Sequence, residues 1–117
     1  MIKCLIFDFD GVILDSVNIK TLIFKEMYSH YGTGIANKVE DYHLKNGGMS
    51  RFKKFKYFEE VILKKKCSNK KINFLSKEFE SKVKHKVIKA SYIKGAKRFL
   101  NTNYKKYKFF ISTGTPQ

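Results

Sequence analysis

The sequence predicts an α/β fold in which two parallel strands are separated by a long helical insertion. Three observations predict it. Residues 2–7, Ile-Lys-Cys-Leu-Ile-Phe, form a short apolar run that stops at Asp8-Phe9-Asp10-Gly11. Residues 107–111, Tyr-Lys-Phe-Phe-Ile, form a second run that stops at Ser112-Thr113-Gly114. Between them, from Val17 to about Ala90, apolar residues recur at helical rather than alternating spacing.

The first run reads as a strand buried on both faces, hence parallel and central, with Cys4 inside the core. Two carboxylates, Asp8 and Asp10, stand two residues apart where that strand stops, and Gly11 follows. In an open α/β sheet this is where ligands bind. Like charges so close repel. A divalent cation relieves the repulsion by binding the oxygens; a proton retained on one group relieves it too and creates an acid. An ordinary Asp-Gly turn is the plain alternative. Asp15-Ser16 fits a helix start, with a capping role for Ser16.

The insertion divides into several helical stripes. Val17, Phe24, Tyr28 and Tyr31 share one face, and Gly32 and Gly34 interrupt the chain. A short helical stretch spans 37–45, followed by Asn46-Gly47-Gly48. Phe52, Phe55, Phe58 and Ile62 make the next stripe, and Ile72, Leu75, Phe79, Val83 and Val87 the last. Such stripes predict helix–helix packing. Ser50 reads as an N-cap, with Arg51 and Lys54 three residues apart on the helix it opens. These two cations either meet an anionic or hydroxylated ligand or are simply solvated. His30, His43 and His85 share no metal spacing and receive no role.

Charge is unevenly distributed. The 117 residues carry 25 basic and 10 acidic side chains, a net charge of +15. The first 40 residues are slightly acidic, so the excess lies beyond them. Nearly all of it is Lys. The scarcity of Arg, the residue suited to phosphate and base-edge recognition, argues against a nucleic-acid partner and for solvated helix faces. Cys4 and Cys67 fit no metal or redox spacing. The opening is too quickly acidic for a signal peptide, and no apolar run is long enough to cross a bilayer. A reducing cytoplasm and no membrane partner are expected.

The string from Ile6 to Ser16, Ile-Phe-Asp-Phe-Asp-Gly-Val-Ile-Leu-Asp-Ser, resembles the first motif of the haloacid dehalogenase (HAD) superfamily. Ser112-Thr113-Gly114-Thr115-Pro116 resembles its second. The resemblance implies a partial Rossmann-like core with an α-helical cap of the C1 type. The core would comprise residues 1–15 and 91–117, and the cap 16–90. It implies Asp8 as nucleophile, forming an aspartyl-phosphate, and Asp10 as the acid that protonates the leaving oxygen and then activates water. It implies Mg²⁺ held by Asp8 and by the backbone carbonyl of Asp10. Thr113 would bind the phosphoryl oxygens, with Ser112 as the fallback. Backbone groups around Gly114 and Gly11 would assist, and Arg51 and Lys54 would reach the rest of the substrate. Asp10 favours a phosphatase or phosphomutase over a dehalogenase. The expected substrate is a small phosphorylated metabolite such as a sugar phosphate.

The family's later Lys and acidic pair have no counterpart, because no Lys follows the second strand and no acid follows Glu80. The resemblance therefore implies the N-terminal portion of a family member, with little or no turnover by itself and a C-terminal half as complementing partner. A non-enzymatic basic helical binding module is the alternative from another class.

Overall fold

The computed structural model describes residues 1–114; Thr115 and Pro116, read above as part of the second motif, lie outside the described residues. In chain order the elements are β1 (Cys4–Asp8), α1 (Val17–Tyr28), α2 (Thr33–Lys45), α3 (Arg51–Tyr57), α4 (Asn69–Ile88), α5 (Ala96–Asn103) and β2 (Lys108–Ser112). A 3-10 turn, Ser29–Tyr31, follows α1, and a π-helical turn, Phe58–Ile62, extends α3. No helix among the described residues is long and apolar enough to cross a membrane.

Two compact units result: Met1–Asn18 with Val87–Gln117, and Ile19–Lys86. The start of α1 and the end of α4 thus go with the strands rather than with the insertion.

In the first unit, β1 and β2 pair in parallel, Ile6 opposite Phe110 and Asp8 opposite Ser112. Side chains alternate across a strand. Phe7 and Phe109 meet edge to face at 5.5 Å, and Phe99 of α5 packs on Phe7 at 6.1 Å. The opposite face is bare: Ile6 is 70% and Phe110 53% exposed. Parallel pairing agrees with the sequence, but burial on both faces does not. Cys4 is exposed as well, not a core residue. The physical reason is one of cover. A parallel strand is buried on both faces only where layers pack on both, and among the described residues α5 shields one face.

In the second unit the helical stripes converge. Phe24 stacks on Phe79 at 4.1 Å and meets Phe55 and Phe58 edge to face at 5.3 and 5.5 Å. Val39, Ile72 and Leu75 complete this core. The ends of the expected stripes fall outside it, since Val17, Tyr31 and Phe52 are exposed. Gly32, with φ of 106°, ends the first segment, whereas Gly34 lies inside α2. Ser50 caps α3, its Oγ accepting from the Lys53 N–H. The π-helical turn carries Glu59, 4% exposed, whose Oε1 accepts a 2.8 Å hydrogen bond from the Tyr28 hydroxyl. Burial and that carboxylate raise the Tyr28 phenol far above its ordinary range.

Candidate active site

β1 stops at Asp8 because the chain turns there. The Phe9 carbonyl accepts from the N–H groups of Val12 and Ile13 at 3.3 and 3.0 Å, and the Gly11 N–H donates to the Leu14 carbonyl at 2.8 Å. Gly11 makes this turn possible. Its φ is +75°, and a Cβ there would stand 2.6 Å from Val17 Cγ2. An L side chain at that position is both strained and obstructed. The turn is anchored to the return segment, Asp15 N–H donating to the Ser91 carbonyl at 2.8 Å and Ile93 N–H to the Ile13 carbonyl at 2.9 Å.

This folding presents the two acids differently. Asp8 is exposed, with Oδ1 accepting from the Phe9 N–H at 2.7 Å. Asp10 is half-buried, and its Oδ1 accepts a 2.6 Å hydrogen bond from the Ser16 hydroxyl. Ser16 is 1% exposed. Its hydroxyl is therefore directed to Asp10, with a longer contact to the Leu14 carbonyl, rather than serving only to cap a helix. Sequence reasoning missed this positioning residue. The signal lay in the spacing: a hydroxyl six residues beyond the second Asp returns to it once Gly11 closes the turn.

β2 ends level with β1. Asp8 and Ser112 are ladder partners, so Thr113 and Gly114 leave the sheet at the same end as Phe9, Asp10 and Gly11. Six of the residues singled out in the sequence thus belong to one end of one two-stranded sheet. Arg51 and Lys54 belong to the helical unit. Arg51 is engaged there, its Nη2 lying 2.7 Å from Glu80 Oε2. Lys54 is buried, with its Nζ 2.9 Å from His43 Nδ1. His43 had no role in the sequence reading because a lone histidine shows no spacing signal.

The donor set at the sheet end suits a hard cation in part. Among the described residues no three His, Cys, Asp or Glu side chains gather into a metal site. Asp8 and Asp10 offer two carboxylates, and Mg²⁺ is commonly held by one or two carboxylates, with waters and phosphate oxygens completing its octahedron. The exposed Asp8 carboxylate fits that pattern. Chemically, the end of this sheet combines an exposed carboxylate, a second carboxylate held by a hydroxyl, and a strand end carrying Ser112 and Thr113.

Comparison with known proteins identifies the family and the fold. A family model described as haloacid dehalogenase-like hydrolase matches residues 5–117. The crystal structure of a HAD hydrolase of family IA, variant 3, from Entamoeba histolytica superposes with a TM-score of 0.70 at 18% sequence identity, covering 98% of this chain and 50% of that one. The chain therefore spans half the length of the solved structure it matches. No curated protein sequence matches it.

Proposed function

The chain belongs to the haloacid dehalogenase-like hydrolases, and on that premise we propose that it is the N-terminal, phosphoryl-accepting part of a Mg²⁺-dependent phosphatase acting on a small phosphate monoester. The observation that carries the proposal is the shared sheet end, where exposed Asp8 lies opposite Ser112 and Asp10 is held by Ser16.

In this reading an Asp8 carboxylate oxygen attacks phosphorus and the ester P–O bond breaks. Asp10, protonated at that stage, gives its proton to the departing oxygen. Water then attacks the phosphorus of the aspartyl-phosphate, losing its proton to Asp10, and the Asp8 carboxylate is regenerated. Splitting the displacement into two steps is the advantage of a carboxylate nucleophile. Thr113, or Ser112 beside it, donates to the phosphoryl oxygens, with backbone N–H groups near Gly114 and Gly11 adding anion binding. Bound Mg²⁺, held by Asp8 and the Asp10 carbonyl, would neutralise charge on those oxygens. Arg51 and Lys54 are the helical unit's candidates for the remainder of the substrate. The 117 residues contain no Lys beyond the second strand and no acid beyond Glu80. By themselves they therefore lack part of the electrostatic stabilisation, and steady turnover is slow or nil.

The test is single-turnover phosphorylation. With Mg²⁺ and acetyl phosphate, intact-mass analysis followed by borohydride trapping is expected to place one phosphoryl group on Asp8. Asp8→Asn abolishes it, and Asp10→Asn slows its loss by roughly 10²-fold or more, the ordinary contribution of a general acid–base group. Undiminished labelling in Asp8→Asn would show the nucleophile to be another residue.

A further inference from the structure

One stretch of the helical unit is basic throughout. From Val61 to Lys77 the chain carries six Lys and no acid. Lys64, Lys65, Lys66, Lys70, Lys71 and Lys77 are all exposed. Among the described residues no Lys of this stretch stands in an ion pair, whereas Lys25, Arg51 and Lys82 of the same unit are paired with Glu40, Glu80 and Glu26. The loop leading into α4 is held in place. Lys65 N–H donates to the Glu59 carbonyl at 2.9 Å. The Ser68 carbonyl accepts from Ile72 N–H at 3.1 Å, and the Ser68 Oγ from Lys71 N–H at 3.2 Å. Cys67 packs on the core.

Folding alone disfavours this arrangement. Lys64 takes a φ of +54°, in the left-handed region that suits glycine. Lys70 and Lys71 occupy the first turn of α4, where the helix dipole repels cations, and no acid accompanies them. An ordinary solvated face mixes both signs. Two bare apolar side chains belong to the same stretch, Val61 at 52% and Phe74 at 61% exposure. Lys70, Phe74 and Lys77 recur at helical spacing on one face of α4. Clustered lysines beside exposed apolar side chains are the composition of a surface that lies on a charged bilayer.

We infer that residues 61–77 form a docking surface for an anionic lipid bilayer, with the lysines at the headgroups and Val61 and Phe74 entering the acyl boundary. Adsorption of this kind needs no segment that crosses the bilayer. Single-stranded nucleic acid fits less well. Its bases stack on free aromatic faces, and both rings beside the loop already carry an ammonium, Lys65 Nζ lying 4.7 Å from the Tyr31 centroid and Lys71 Nζ 5.8 Å from that of Phe74. Lys, a point charge, serves a diffuse layer of headgroups without Arg's planar fork. The inference is independent of the phosphatase reading and needs no turnover.

Co-sedimentation of the full chain with vesicles tests it. Pelleting is expected with vesicles of phosphatidylglycerol and phosphatidylcholine in equal parts and not with phosphatidylcholine alone, and it is expected to fall as salt rises. The triple change Lys64→Glu, Lys65→Glu, Lys66→Glu is expected to weaken partitioning about ten-fold or more beyond a charge-matched control at exposed positions, Lys94→Glu, Lys105→Glu, Lys106→Glu. Phe74→Ser is expected to weaken it about three-fold or more. In the unaltered chain, a spin label on the lipid headgroup is expected to broaden the backbone amide signals of residues 61–77 before any others, a readout that depends on no variant. Five outcomes overturn the inference. No pelleting removes the lipid. Equal losses in the two triple variants reduce the effect to net charge. Equal pelleting with phosphatidylcholine alone reduces it to adsorption of apolar surface. Broadening centred elsewhere moves the surface. Tighter binding of single-stranded oligouridylate than of vesicles, lost in the first triple variant, assigns it to nucleic acid.

Discussion

The helical unit and the two-stranded unit draw on the same apolar residues and use them in opposite ways. In the helical unit, Phe24, Tyr28, Phe55 and Phe58 are almost wholly buried and interlock through edge-to-face and stacked contacts. In the two-stranded unit, Ile6, Phe110 and Ile111 lie largely in solvent. The helical unit encloses a core of its own; the two-stranded unit has one covered face and one bare face. Two strands are a marginal sheet by themselves. The difference teaches that stability and candidate chemistry reside in different parts of this chain. The residues proposed for phosphoryl transfer stand on the less covered part.

The largest expected effect tests where the stability lies. Phe24→Ala should cost about 3–5 kcal/mol, the usual penalty for emptying a buried aromatic site. Phe99→Ala, at a half-exposed position on α5, should cost clearly less. Urea unfolding followed by far-UV circular dichroism measures both, and equal losses would erase the distinction between the units.

Ser16→Ala comes next and probes the ordered turn in the two-stranded unit. Removing a hydrogen bond to a carboxylate should cost about 1.5–3 kcal/mol. The effect should concentrate in faster amide exchange at Asp15 and Ile93, whose N–H groups tie the turn to the return segment. Unchanged exchange there would mean that the Ser16–Asp10 contact does not order the turn.

The helical unit should also respond to acid through His43. Burial holds its folded-state value, about 4, below the ordinary 6.5. Between those two values the unfolded chain binds the extra proton, so stability is full above pH 6.5 and declines as pH falls toward 4. His43→Asn should flatten that part of a urea-midpoint profile. An unchanged slope would assign the acid sensitivity to other groups.

The smallest effect belongs to the bare face. Ile6→Thr should change stability by no more than about 0.5 kcal/mol, as for surface positions generally, while lowering light scattering at high protein concentration. A loss of several times that size would mean that the face is covered in solution.

Much of the fold was legible in local sequence. An apolar run ending in Asp-Phe-Asp-Gly marks a strand and its turn without reference to anything distant, since strand length, carboxylate spacing and glycine freedom are all local. The stripes through Phe24, Phe55 and Phe79 reported their own burial because helical periodicity records which face is apolar. Other features were not local. Whether Cys4 and Ile6 are buried depends on a second layer over the sheet, which no pattern within β1 encodes. Ser16 read as a cap because its partner, Asp10, becomes adjacent only after the Gly11 turn closes.

The sequence by itself determined the order of elements, the position of the acid pair at a strand end and the family to which the chain belongs, because each rests on short-range spacing. Tertiary structure alone decided that Asp8 and Ser112 share one level of a parallel ladder, that Arg51 is engaged by Glu80, and that Lys54 lies beside His43 in a buried place. Those facts depend on contacts between residues far apart in the chain. Burial and charge balance are properties of what packs together, and no single segment carries that information.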